Sequence, residues 1–510
     1  MIALLALLVA PPPAVVASPH RPVPQSVAAR RIEPGTTLEE QLGVAVTDPG
    51  VRRFTVRVPD DALALDVRLS CVDADLDLYL SPPEYDAETD LLGASLLEFG
   101  VEQVWADRFS RPMIEGGDWG ISVEYPWDDP VVKDGRVLTR VDFELSVRIL
   151  KPRIDGVLRV GERLDARIDE AGGHFRSYRV DVPEGAPALR LDLLRADGDL
   201  DLLARRAQPI LSLEDTDGRA VMPWGREVLV FPFEPGSALG PGVWYVDVVS
   251  RDGKLLGDAE FSLLATLDVA PPPAVLELPT LPVRLERVRP PLASAAAAAV
   301  EVLQASGGGS GTLVSASGLV LTAAHVVTDM AEQPLAEVVI GVTLHPERPS
   351  LESFRARIVL YDAKLDLALL QIERGLYGQP LPKDYVFPWV PLRDSSDLSL
   401  ADPLWALGYP ITGGSGLRST LIVTRGVVSG FERLAGRRIL KVDCEVTSGN
   451  SGGAILDEVG YLVGVTSEVS ENGAGQLGFA VPTSAIPVEW LQRIREAAGP
   501  ARATEPGSER

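Results

Sequence analysis

The 510-residue sequence predicts an all-β molecule: two tandem copies of one antiparallel β-sandwich, then a third, larger β domain. Three observations carry that prediction. A block of the first half recurs further along the chain, apolar and polar residues alternate within both copies, and a proline-rich stretch then separates them from a C-terminal region of different composition.

The repeat comes first. Val58-Pro59-Asp60-Asp61-Ala62-Leu63-Ala64-Leu65 matches Val182-Pro183-Glu184-Gly185-Ala186-Pro187-Ala188-Leu189. Pro59 and Pro183 lie 124 positions apart, as do Asp73 and Asp197 and also Asp77 and Asp201, so the block has no gap. Further on, Gly117-Asp118-Trp119 resembles Gly242-Val243-Trp244, and Phe143-Glu144-Leu145 resembles Phe261-Ser262-Leu263. Leu65, Val67 and Leu69, then Leu76, Leu78 and Leu80, alternate with other residues at the period of a strand with one buried face. Short strands punctuated by Pro, Gly and Asp turns predict β-sandwiches over residues 30–150 and 151–268. The order of signals resembles the bacterial pre-peptidase C-terminal domain, which implies accessory modules of a secreted peptidase.

Alternation sets Asp73, Asp75 and Asp77, and likewise Asp197, Asp199 and Asp201, on an outer strand face as a solvated row. The alternative is a calcium site, since hard oxygen donors suit that ion, although no glycine-anchored EF-hand loop accompanies them. Otherwise no cofactor or metal is expected. The histidines, His20, His174, His325 and His345, lie far from any paired cysteine. Cys71 and Cys444 fall in different domains and read as packed thiols rather than a disulfide. With 72 acidic against 48 basic residues and a net charge of −24, the chain lacks the cationic surface that neutralises phosphates, so nucleic acid is excluded as a partner.

Residues 1–17 combine a short apolar run with Val15 and Ala17 before Ser18, which predicts a cleaved signal peptide, though a basic leading segment is missing. No stretch reaches the roughly 18 apolar residues of a transmembrane helix. The expected location is periplasmic or extracellular. Residues 269–292, with Pro271, Pro272, Pro273, Pro279, Pro282, Pro290 and Pro291, predict a stiff spacer. The third domain is expected over 293–498 and a disordered tail over 499–510.

Three segments of that domain carry chemistry. Gly309-Ser310-Gly311-Thr312 and Gly318 to Thr322 imply two strands, with His325 just past the second in Thr322-Ala323-Ala324-His325. Asp366 precedes the apolar run Leu367-Ala368-Leu369-Leu370 and is favoured over Asp362 as an orienting carboxylate. Ser451 sits in Gly449-Asn450-Ser451-Gly452-Gly453, before the strand Ala454 to Leu456. The order His, Asp, Ser suits a serine nucleophile activated by an imidazole base that a carboxylate orients. Cys444 lies outside the glycine turn and reads as packed, and His345 has no partner motif.

With Gly408-Tyr409-Pro410, Gly426-Val427-Val428-Ser429-Gly430 and Gly478-Phe479-Ala480-Val481-Pro482, these motifs make residues 297–490 resemble the HtrA branch of trypsin-like proteases. The resemblance implies a double β-barrel with His325, Asp366 and Ser451 as catalytic triad and the amides of Gly449 and Ser451 as oxyanion hole. It also implies a specificity pocket at Glu445, Thr466 and Gly478, and a protein or peptide as substrate. Two departures stand out. So few residues follow Ile486 that the usual PDZ domain is not expected, and Glu445 stands where relatives carry a small apolar residue, so that it either selects Lys and Arg by charge or points away. A helix closes the domain, with Ile486, Trp490, Leu491 and Ile494 on one stripe. Two alternatives stay open: a catalytically silent binding or adhesion protein, and an esterase with the same triad. The sequence carries no sign of oligomeric state.

Overall fold

The computed structural model describes residues 28–45, 50–83, 93–95, 101–108, 113–127, 129–169, 173–212, 215–222, 225–233, 239–250, 258–305, 307–331, 333–410, 418–434, 437–470 and 477–498. The expected signal peptide and tail lie outside them. By internal contacts the chain divides into two compact units, Met1–Ile154 with Leu211–Asp215, and Asp155–Ile210 with Thr216–Arg510.

The first unit holds two large sheets and a small hairpin, Val132–Lys133 with Arg136–Val137. One orders its strands Arg30–Arg31, Val51–Val58, Gly117–Glu124, Asp77–Ser81 and Gly93–Ser95; the other runs Thr36–Gly43, Arg140–Leu150, Ala64–Cys71 and Val101–Asp107. Alternation along these strands turns Phe54, Val67, Leu78, Trp119 and Leu145 into one shared apolar cluster. The start of the second unit repeats the two large sheets strand for strand. Its sheets run Gly156–Val157, Phe175–Val182, Gly242–Ser250, Leu200–Arg206, Gly218–Ala220 and Arg163–Ile168, Ala259–Thr266, Leu189–Ala196, Glu227–Phe231, around a core that includes Trp244 and Phe261. The paired tryptophans and phenylalanines noted in the sequence occupy equivalent strands.

The acidic rows depart from expectation. Only Asp77 and Asp201 lie within a strand, and both are buried; Asp73, Asp75, Asp197 and Asp199 belong to the turn before it. No solvated row forms, because the alternation begins later than assumed. Asp73 pairs with Lys133 and Asp197 with Arg195. Among the described residues no group of three or more ligating side chains is placed to hold a metal.

The remainder of the second unit forms two closed six-stranded barrels, the trypsin-like fold. The first orders Ala299–Gln304, Gly307–Leu313, Leu319–Thr322, Leu367–Gly375, Leu351–Asp362 and Glu337–Val342; the second orders Pro403–Gly408, Ile422–Leu434, Arg437–Val442, Leu477–Pro482, Leu462–Ser470 and Ala454–Leu456. A helix, Val488–Ala497, follows and buries Trp490 and Ile494 against them, as its stripe predicts.

The proline-rich stretch is not a free spacer. Leu285 is buried in the barrel core, Leu278, Leu281 and Val288 pack on it, and the Tyr385 hydroxyl donates to the Pro279 carbonyl at 2.5 Å. Its interspersed leucines and valines supply apolar area that favours adhesion over extension into water. The second two-sheet part is also fixed to the barrels. The Arg418 side chain, itself buried, pairs with Glu301 at 3.3 Å and with Glu352, and donates to the carbonyls of Ser350 at 3.0 Å and Ala196 at 3.4 Å. The Gly225 amide reaches Glu352 at 3.0 Å.

Candidate active site

Strand pairing brings the first two residues together. Leu319–Thr322 runs antiparallel to Leu367–Gly375 with Thr322 opposite Ala368, so the residue just past one strand and the residue just before the other meet at the same barrel end. His325 occupies the short 3-10 turn Ala324–Val327, and Asp366 precedes Leu367. The His325 Nδ1 lies 3.0 Å from both carboxylate oxygens of Asp366, and the His325 amide donates to Oδ1 at 3.1 Å. Asp366 holds φ at +56°, a left-handed conformation that Asp tolerates better than most residues and that aims its carboxylate back at the imidazole. Asp362 instead accepts from the amides of Lys364 and Leu365 and shapes the turn that leads there.

Burial pushes the Asp366 carboxyl up, but hydrogen bonds from His325 and Ser467 and the imidazole's charge outweigh it, and the group is held below the ordinary carboxylate range. Asp366 therefore stays an anion that accepts from Nδ1, which leaves Nε2 as the other working nitrogen.

Ser451 arrives from the second barrel. Ala454 pairs with Val465, and beyond that pair the Gly452 amide donates to the Thr466 carbonyl at 2.7 Å. This sets Ser451 beside Ser467. The Ser451 hydroxyl donates to the Ser467 carbonyl at 3.2 Å, while the Ser467 hydroxyl donates to Asp366 Oδ2 at 2.5 Å. Ser467 thus touches both parts of the site, accepting from Ser451 with its carbonyl and donating to Asp366 with its hydroxyl, and so ties the second barrel's serine to the first barrel's His325–Asp366 pair. Sequence reasoning missed Ser467; its position follows from the pairing of Leu462–Ser470, which no local motif marks.

The turn around Ser451 needs its glycines. Gly449 has φ at +94°, and at Gly452, with φ at +84°, a Cβ would run into the Ser310 carbonyl and the Thr322 hydroxyl. The turn's carbonyls are engaged: Asn450 by the Gly453 amide at 2.9 Å, Ser451 by the Ser310 amide at 2.8 Å, and Gly449 by the Ser310 hydroxyl at 2.7 Å. Among the described residues, no protein acceptor takes the amides of Gly449 and Ser451.

Of the three residues expected in the specificity pocket, Thr466 is buried in the strand behind Ser451, and Gly478 lies on the paired strand Leu477–Pro482. Glu445 is the third. Its side chain is exposed, and its carbonyl accepts from the Thr424 hydroxyl at 2.9 Å. The neighbouring Val446, buried, is the side chain that a Cβ at Gly478 would strike. Cys444 is packed, and burial pushes its thiol up to about 11, so it is no thiolate nucleophile. His345 accepts from the Glu347 amide within its own loop.

Residues 309–465 match the family model described as a trypsin-like peptidase domain. Among curated proteins the chain is similar to Protease Do-like 1, chloroplastic, of Arabidopsis thaliana, 31% identical over 190 residues, which cover 35% of this chain and 38% of that protein. It is similar also to Serine protease Do-like HtrA of Bacillus subtilis (strain 168), 34% identical over 141 residues, covering 26% of this chain and 28% of that one. The chain thus spans well under half the length of these relatives. Of solved structures, the HtrA-type protease AlgW with tripeptide matches at 27% identity and a TM-score of 0.31, over 40% of this chain and 62% of that one.

Proposed function

We propose that this chain is an exported serine endopeptidase of HtrA-like type that cleaves peptide bonds through an acyl-enzyme, with His325, Asp366 and Ser451 as triad. The observation that carries the proposal is the convergence of the His325–Asp366 pair and Ser451 on one residue, Ser467, which bonds to Asp366 through its hydroxyl and to Ser451 through its carbonyl, next to two amides with no protein acceptor among the described residues.

In this mechanism the Ser451 oxygen attacks the scissile carbonyl while His325 Nε2 takes its proton. Asp366 keeps the Nδ1 proton in place and stabilises the imidazolium. The oxyanion that forms accepts from the amides of Gly449 and Ser451, each such donor contributing about 3–4 kcal/mol. Collapse breaks the C–N bond, the leaving amine takes the proton from His325, and water repeats the sequence to release the acid. The pocket is floored by Val446 and Thr466, which suits an uncharged side chain, and Glu445 stays outside it. The two-sheet parts serve as accessory modules of the pre-peptidase C-terminal kind.

Casein digestion tests the reading. The wild type should release fragments cut after small apolar residues, Ser451→Ala should release none, and short acyl esters should be poorer substrates than casein. Cleavage confined to Lys and Arg would contradict the pocket assignment, and no cleavage by the wild type would contradict the peptidase. Recovery of exported protein beginning at Ser18 tests the expected secretion.

A further inference from the structure

Glycine at position 449 solves one problem and creates another. Only a residue free of a Cβ takes φ at +94° without strain, yet the same freedom lets the turn relax into other conformations, and with it the direction of the Gly449 amide. Something outside the turn must hold it. Within the described structure the side chain that does so belongs to Ser310, fully buried in the first barrel's strand Gly307–Leu313.

The proton positions at Ser310 follow from its partners. The Tyr409 amide lies 2.8 Å from the Ser310 Oγ, and an N–H can only donate, so the hydroxyl's own proton is left for the Gly449 carbonyl at 2.7 Å. Tyr409 is anchored in turn: its hydroxyl donates to the Ala299 carbonyl at 3.1 Å and meets the Thr343 hydroxyl at 2.5 Å. The Ser310 amide donates to the Ser451 carbonyl at 2.8 Å. One residue of the first barrel therefore grips the peptide before Asn450 and the peptide after Ser451, on both sides of the nucleophile that the second barrel supplies.

We infer that Ser310 is a positioning residue: its hydroxyl fixes the peptide plane that follows Gly449, and so limits how far the adjoining plane, which carries the Gly449 amide, can swing from the direction that meets a developing oxyanion. The inference rests on the peptidase reading above. Ser310 touches no substrate and acts only through the turn. Because fixing Gly449 matters most when negative charge appears, its loss should lower the chemical step and leave substrate binding alone.

The test compares wild type, Ser310→Cys and Ser310→Ala. A thiol fills nearly the same space but donates weakly, and alanine donates nothing. For Ser310→Ala, kcat should fall roughly 10- to 100-fold with KM within about twofold, the scale of a misplaced donor. Inhibition by a peptide boronic acid, whose oxygen occupies the oxyanion position, should weaken in step with kcat, and Ser310→Cys should lie between. Cooperative thermal unfolding above the assay temperature identifies folded variants, and the cysteine variant carries the test if the alanine variant fails to fold. A folded Ser310→Ala with wild-type kcat, or a loss confined to KM, overturns the inference while the peptidase reading stands. A wild type whose Ser451 does not react with a fluorophosphonate overturns both.

Discussion

Asp366 shows how much of the site rests on single residues. Its left-handed backbone, its two oxygens on one imidazole nitrogen and its bond from Ser467 all serve to keep an anion buried beside His325. Replacing it with asparagine keeps the shape but presents an amide donor to Nδ1 and favours the wrong tautomer. For Asp366→Asn we expect kcat to fall by about four orders of magnitude with little change in KM, read from steady-state hydrolysis of a peptide substrate. A loss of less than tenfold would separate Asp366 from the chemistry. The motif residues were legible at this scale because each sits at the end of a strand with a distinctive sequence. Ser467 was not, since nothing local distinguishes it, and the spacing of Glu445 from Ser451 fixes position along the chain but not the face on which a side chain emerges.

At the scale of elements, alternation and turns gave the strands of the repeated two-sheet parts, and the equivalence of Trp119 and Trp244 survives as equivalent strands in equivalent sheets. The proline-rich segment was misread for a physical reason. Proline content predicts stiffness, but the leucines and valines between the prolines decide whether a stiff segment adheres, and here they do. Truncating one of them measures that adhesion. Leu285→Ala should destabilise the second unit by about 2–5 kcal/mol in chemical denaturation, the cost of emptying a buried leucine site. A change within about 0.5 kcal/mol, the usual result for an exposed position, would return the segment to the role of spacer.

For the whole molecule, the second two-sheet part and the barrels belong to one compact unit, with the buried side chain of Arg418 bonded to groups from both. That arrangement was not legible in the sequence, because Arg418 and its partners Glu301 and Glu352 lie far apart and none belongs to a recognisable motif. The same unit carries a built-in pH dependence. Burial, with Asp201 and Asp199 nearby, pushes the Glu227 carboxyl up to about 9, against amide hydrogen bonds from Met222 and Leu202. The folded chain therefore keeps a proton that the unfolded chain releases, so this group's contribution is complete below the ordinary carboxylate range and is lost as pH rises toward about 9. Glu227→Gln cannot release that proton. Its melting temperature should fall less than the wild type's between pH 5 and pH 9, so that the gap between them narrows or reverses; a gap that stays constant would show that Glu227 does not titrate in this range.

The central claim is that an imidazole from one barrel activates a hydroxyl from the other. Labelling with a fluorophosphonate, with the modified peptide identified by mass spectrometry, tests it most directly. Wild-type protein should be modified at Ser451 alone, and His325→Ala should lose the reaction while remaining folded. Labelling at Ser451 that is undiminished in His325→Ala would contradict the account.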